Sequence, residues 1–423
     1  MIPATGEATM IRTARMQFLA AAFAAASLAG CNEQPPSSAY DPHYVSPRPQ
    51  PVIASITPDV ALANVTILTV TGLNFDPDPG HDLVFFDKIL VPVLQATSTQ
   101  LQVKAPDLPQ DSISVKIGVY KSYLYSDPVL FRLLPATQEL GNFQPTEFPA
   151  AVECDTAGNA YVSIAGVPVS TSGVFKISPS GARSLYSPLY SPSVATWHSM
   201  KFGPGGALFC VSAKNIIFRI PPGGGTSAIW LSGDATNGLT ALYDFDFDAD
   251  GNIWAGGPTS GVSQTNKIFR AAPDKTVKSF PFEGLIRAVR VFSGYLYVGG
   301  MRAGAEQIWR FPIVSADSLG AEEEYLDFST VSPTGAVNAI TFNAQGDMYI
   351  GTDAGEGIVL VHPGKASEPL YQGVVQPATA SLTWGNGPDA FQSRTSIAAG
   401  VTSTLVKINT LTAGAPYYGR RRP

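Results

Sequence analysis

From about Glu147 to Tyr418 the apolar positions fall into short runs that recur six times. Each copy opens with an apolar stretch ending in a bulky residue: Cys154, Phe202, Phe247, Val291, Phe342 and Trp384. Six or seven residues later an aromatic follows: Tyr161, Phe209, Trp254, Tyr297, Tyr349 and Phe391. A Gly/Asp/Asn turn separates the two in most copies. A third run has an apolar–aromatic–basic–apolar signature in Val174–Ile177, Ile217–Ile220, Ile268–Ala271 and Ile308–Phe311, and a looser form in Val359–Val361 and Leu405–Ile408. Fourth strands are expected at Ser184–Tyr186, Ala228–Leu231, Val277–Phe280, Glu324–Leu326, Pro369–Tyr371 and Pro416–Tyr418, with residues 136–145 left open as an added closing strand. The aromatics recur about every 40–50 residues, the span of a four-stranded unit, so residues 136–423 read as a six-bladed β-propeller.

Ahead of the repeats the pattern changes. Between residues 52 and 135 the runs Val52–Ile56, Val65–Thr71, Leu83–Phe86, Leu101–Val103, Ile113–Val119 and Val129–Leu133 are separated by turn residues. That spacing predicts a small β-sandwich, and the fold class is all-β throughout. Residues 31–51 are Pro/Ser-rich with little to bury and are expected to form a tether. Residues 1–30 carry Arg12 and Arg15, then an apolar run from about Phe18 to Ala29, the layout of a secretory signal peptide. That run is short for a membrane span.

Composition agrees with a turn-rich β protein: charged residues are 14%, with Gly 40 and Pro 35. The net charge of -6 offers no broad nucleic-acid face, and no nucleic-acid partner is expected. Three cysteines are too few for a disulfide framework. Cys154 and Cys210 occupy apolar positions of the repeat and are expected to be buried, with a bridge between neighbouring blades left open.

Leu28-Ala29-Gly30-Cys31 resembles the bacterial lipoprotein signal, which implies lipidation of Cys31. The expected location is therefore the cell envelope, on an outer membrane or cell surface, since Asn32 stands where inner-membrane lipoproteins often have aspartate. Ile56-Thr57-Pro58, Thr71-Gly72-Leu73-Asn74-Phe75, Val84-Phe85-Phe86 and Val103-Lys104-Ala105-Pro106 resemble the IPT/TIG immunoglobulin-like family, which implies a spacer or protein-contact module. The repeats resemble NHL-like propellers and, more loosely, streptogramin-lyase and gluconolactonase propellers. Fold follows from such a resemblance; function must come from the site.

Propeller sites form where loops enter the innermost strands. Aligning the copies places Ala150, His198, Tyr243, Arg287, Asn338 and Ala380 at one equivalent position, with Trp197 and Asp244 flanking. An aromatic, an imidazole, a guanidinium and an amide around a cavity suit a small polar ligand, although a water-filled mouth would show the same polarity. Trp197, His198, Tyr243, Asp244, Arg287 and Asn338 are accordingly the candidate ligand-binding residues for a protein or glycan partner, with no catalysis, cofactor or metal expected. The competing reading is a propeller lyase or lactonase with His198 as general base and Asp244 or Glu147 as a metal ligand or partner. A second ring, Glu153, Lys201, Asp246, Arg290, Thr341 and Thr383, alternates in sign and reads as charge compensation. Asp246-Phe247-Asp248-Ala249-Asp250-Gly251 matches half an EF-hand loop but ends on Gly257 where glutamate is needed, so a recurrent hairpin turn is expected.

Overall fold

The structure is a computed structural model and describes residues 46–258, 266–396 and 402–418. The signal peptide, Cys31, His43, most of the tether and Arg420–Arg422 lie outside the described residues. No α-helix occurs among those described, and none is long and apolar enough to cross a membrane.

The first part is a two-sheet sandwich. Val52–Thr57, Ile67–Leu73, Gln100–Lys104 and Val93–Ala96 form one sheet; Ala61–Leu62, Val129–Leu134, Gln110–Val119, Asp82–Phe86 and Ile89–Val91 form the other. Alternation decides which residues face inward: along Ile67–Leu73 every second side chain is buried. Leu68, Val70, Val84, Phe86, Val115 and Ile117 make the core between the sheets. The last residues of the expected tether are already part of this body. The Ser46 hydroxyl accepts the Tyr123 amide at 3.0 Å, and Gln50 Nε2 donates to the Tyr125 carbonyl at 2.8 Å.

The acidic loop of the sandwich is internally committed. Asp76 pairs with Arg48 at 2.6 Å and with His81 at 3.1 Å. Asp82 is buried, and its Oδ2 has no hydrogen-bond partner. Burial therefore pushes its carboxyl up to about 6. The unfolded chain releases this proton near its ordinary value and the folded chain near 6. Stability thus falls as pH rises across that interval and is level above it, by about 2 kcal/mol after allowing for solvent screening. Comparing melting curves of the native chain and Asp82→Asn should show the variant gaining relative stability from pH 4 to 6 and none beyond. Parallel profiles would exclude this role for Asp82.

The remaining strands form six sheets around one axis. From inside outward, blade 1 is Glu147–Cys154, Ala160–Gly166, Gly173–Ile177 and Arg183–Pro188. Blade 2 is Ser199–Phe202, Leu208–Val211, Ile216–Ile220 and Ala228–Ser232; blade 3 is Asp244–Phe247, Ile253–Gly256, Asn266–Ala271 and Val277–Phe282. Blade 4 comprises Leu285–Phe292, Tyr295–Arg302, Ala305–Ser315 and Glu323–Asp327, with Ser318–Leu319 on the far end of its long third strand. Blade 5 is Ala339–Phe342, Met348–Gly351, Ile358–Val361 and Ser367–Pro369. Blade 6 takes Thr379–Trp384, Asp389–Arg394 and Thr404–Asn409 from the end of the chain, and its outer strand, Thr137–Leu140, from the beginning. Each inner strand packs on the next, and the sixth on the first.

Pro416–Tyr418 is therefore not the fourth strand of blade 6. After Asn409 the chain crosses beneath the neighbouring blades: the Ala344 amide donates to Ala413 O at 2.8 Å, and Tyr418 stacks on Phe247 at 5.1 Å. Thr137–Leu140 fits the edge because Arg394 of the second strand reaches across to Glu139 at 2.5 Å.

The repeated aromatics are buried between blades, Trp254 completely. The Asp or Asn that opens the turn in blades 1, 3 and 5 (Asp155, Asp248 and Asn343) explains the half EF-hand. Asp248 accepts the amides of Asp250 and Asn252 at 3.0 and 2.9 Å, and its second oxygen accepts Trp254 Nε1 at 2.9 Å. Asp155 does the same for its turn and for the Tyr161 hydroxyl at 2.9 Å. In blades 1 and 3 the carboxylate thus ties the hairpin to its own wedge residue. Cys154 and Cys210 are buried and not joined in a disulfide.

Candidate functional site

Three of the six equivalent positions immediately precede an inner strand: His198, Tyr243 and Asn338. Their amides each add one further bond to the neighbouring strand, to Val211, Gly256 and Gly351. In the other three blades the inner strand runs on and breaks register, between Pro149 and Val152, Ile286 and Ala288, and Thr379 and Ser381. Ala150, Arg287 and Ala380 lie in those irregularities. A bulge re-aims the local backbone, and five of the six equivalent positions, Ala150, His198, Tyr243, Asn338 and Ala380, line one cavity. In blade 1 the bulge is held from blade 6, where Ser393 and Thr395 donate to the carbonyls of Ala150 and Pro149.

The result is a mouth cavity of about 180 Å³. His198, Tyr243, Asn338, Asp353, Thr379 and Thr395 supply its polar lining, and Ala150 and Ala380 its small wall. The His198 and Tyr243 rings lie 4.3 Å apart. Burial lowers the His198 pKa, leaving a neutral imidazole at pH 7. Burial raises the Tyr243 phenol, with Arg287 opposing the shift. Asn338 Nδ2 donates to Thr379 O at 3.2 Å, joining blades 5 and 6 across the mouth. Asp353 Oδ1 accepts the Ala336 amide at 2.8 Å.

Trp197, Asp244 and Arg287 are placed differently from the expectation. Trp197 is 4% exposed and packs on Phe218 at 4.8 Å within the wedge between blades 1 and 2. It is a core group, because the residue before the mouth position points outward between blades. Asp244 turns away to accept the Phe245 and Val289 amides at 2.8 and 2.6 Å, stitching blade 3 to blade 4. Burial pushes its carboxyl up, against the pull of Lys201 and its hydrogen bonds. Arg287 is ion-paired with Glu306, whose other oxygen accepts the Val337 amide at 3.0 Å. It stands beside the cavity and outside its lining. Glu147 is gripped by Arg183 through two bonds of 2.6 and 2.8 Å. Asp353, Thr379 and Thr395 were not anticipated. Second strands run antiparallel to the inner ones, so the loops that follow them return to the same face.

One layer deeper, the alternating ring closes into pairs. Lys201 meets Glu153 at 3.6 Å, and Arg290 meets Asp246 at 3.5 Å. Glu153 also accepts the Tyr417 hydroxyl at 2.7 Å, and the Arg290 guanidinium lies 5.0 Å from the Tyr417 ring centre. The crossing C-terminal segment thereby floors the axial channel. Among the described residues no group of three or more His, Cys, Asp or Glu is arranged to hold a metal. Among the described residues that line the mouth, Asp353 alone offers a carboxylate, since Glu147 and Asp244 are otherwise engaged. The described residues of the mouth, with a single lining carboxylate, do not fit a resident metal ion.

Residues 51–133 match the IPT/TIG domain family. A search among curated proteins finds no significant match. Among solved structures, a luciferin-regenerating enzyme aligns with a TM-score of 0.54 at 13% identity, over 68% of this chain and 99% of its own. Regucalcin, a calcium-binding protein of Agrobacterium tumefaciens, aligns with a TM-score of 0.51 at 12% identity, over 66% and 96%. A gluconolactonase of Xanthomonas campestris gives 0.50 at 13% identity, over 66% and 89%. At such identities the likeness is one of fold: the chain carries a β-sandwich that matches the IPT/TIG domain over residues 51–133, followed by a six-bladed β-propeller.

Proposed function

We propose that this chain is a lipid-anchored cell-envelope binding protein whose propeller mouth takes a small polar group presented by a protein or glycan. The observation that supports it is the convergence of His198, Tyr243, Asn338 and Asp353 on one cavity from three blades. At about 180 Å³ the space is smaller than the ~300–1,000 Å³ of drug-sized sites, so it suits one ring or one side-chain end. The tilted His198–Tyr243 ring pair offers an apolar face, while the amide and carboxylate supply directional hydrogen bonds. Below, the paired charges and Tyr417 close the axis, so a ligand enters from the mouth alone.

A glycan array followed by calorimetry on the mature chain tests this reading. Tyr243→Ala should weaken a captured ligand by at least about tenfold, the loss of one buried aromatic contact. Trp197→Phe, altering a core group, should leave affinity unchanged. Because His198 is neutral, binding should be level above pH 7. Equal affinity in Tyr243→Ala would remove the mouth as the site. The neutral imidazole favours one second reading, a lyase or lactonase with His198 as general base. Turnover of a lactone panel, lost in His198→Asn, would select it over simple binding.

A further inference from the structure

We propose that the loop from Tyr120 to Tyr125 is a membrane-contact finger that rests on the lipid surface holding the anchor, an inference that depends on lipidation of Cys31. Tyr120, Tyr123, Leu124 and Tyr125 are each more than half exposed. Three tyrosines and a leucine exposed on one six-residue loop form a concentrated amphipathic patch. Tyrosine, with an apolar ring and a polar tip, suits the boundary between headgroups and acyl chains. Lys121 beside Tyr120 adds a positive charge for anionic headgroups.

The loop is held in shape. The Tyr120 amide donates to His81 O at 2.8 Å, and its ring stacks on the His81 ring at 5.0 Å. Ser126 closes the base, exchanging bonds of 2.9 and 2.8 Å with Ile117. Tyr125 lies along the strand where Gly118 has no side chain; a Cβ there would come within 2.7 Å of the ring. An ordered loop loses little freedom on docking.

What identifies the occupant is where the chain enters. Ser46 and Gln50 are bound to this same loop, through the Tyr123 amide and the Tyr125 carbonyl. At most about 50 Å of chain separates Cys31 from Ser46. The way out toward the propeller, after Leu134, lies at the opposite end of the hairpin formed by Gln110–Val119 and Val129–Leu134, about 30 Å away. The anchored end of the sandwich is thus the end that carries the tyrosines. Lipid is the surface that the tether brings to them, and the contact would orient the sandwich with its far end outward.

The test uses the lipidated full-length protein in vesicles of phosphatidylethanolamine and phosphatidylglycerol, labelled with an environment-sensitive dye on Leu124→Cys or, at the opposite end, Asp107→Cys. The expected result is blue-shifted emission, quenched by brominated lipid, from position 124 and not from 107. Water-like emission from both would overturn the proposal, as would a shift that follows protein concentration or added oligosaccharide instead of vesicles. The mass of the Cys31 peptide reads the anchor separately. Absence of lipid there sinks the anchor and this inference together, whereas a lipidated chain with a wet Leu124 label sinks only the inference.

Discussion

Asp246→Ala should destabilise the propeller by about 3–5 kcal/mol, the usual cost of stranding one member of a buried ion pair. Asp246 and Arg290 are 1% and 3% exposed and meet at 3.5 Å, and Arg290 Nη1 already has no other partner. The carboxylate also accepts the Phe247 and Val291 amides at 3.0 Å each, so alanine leaves two backbone donors unanswered as well. Arg290→Met should be costly for the reciprocal reason. The double variant should cost less than the two singles summed, because no unpaired charge remains. Thermal melts of the three variants provide the cycle. Strict additivity, or a loss under about 1 kcal/mol in Asp246→Ala, would mean that the two charges are solvated separately.

Trp254→Ala should cost a similar 3–5 kcal/mol for a different reason. The indole is wholly buried in the wedge between blades 3 and 4, among Ile268, Phe282, Ile286, Leu296 and Trp309. Removing it opens a cavity where two sheets meet and leaves Asp248 without one of its donors. Trp254→Phe separates the two effects: it keeps most of the ring and loses the hydrogen bond, for about 1–2 kcal/mol. A melting curve unchanged in Trp254→Ala would show that the repeated aromatics are not the wedge.

The architecture was legible because a blade leaves two marks that do not depend on its surroundings. An inward residue recurs at every second strand position, and a Gly/Asp/Asn turn recurs between the first and second strands. Trp254, Tyr161 and Asp248 carry both marks, and the structure places them accordingly. The edge of blade 6 was only half legible: residues 136–145 stood open as an added strand, not as the replacement for Pro416–Tyr418. Pro416–Tyr418 has the apolar, aromatic look of a strand, but whether it pairs with Thr404–Asn409 is a competition with Thr137–Leu140, which begins more than two hundred residues earlier. Local pattern cannot decide a contest between distant segments. The mouth was half legible for a similar reason. Alignment found His198, Tyr243 and Asn338, which share a position in the repeat. Trp197 and Asp244 lie one residue to either side, and in an extended chain one residue turns a side chain to the opposite face. Asp353 and Thr395 come from loops of unequal length, which no alignment of inner strands would catch.

Closing the disc with its first strand also sets an order of events. Thr137–Leu140 has no partner until Thr404–Asn409 exists, so the earlier blades must wait, already made, with an open edge. Pairing across such a sequence distance is intrinsically slow. A chain caught before its last blade would present that edge to any neighbour, so aggregation during maturation, more than loss of the finished fold, is the hazard that this topology carries.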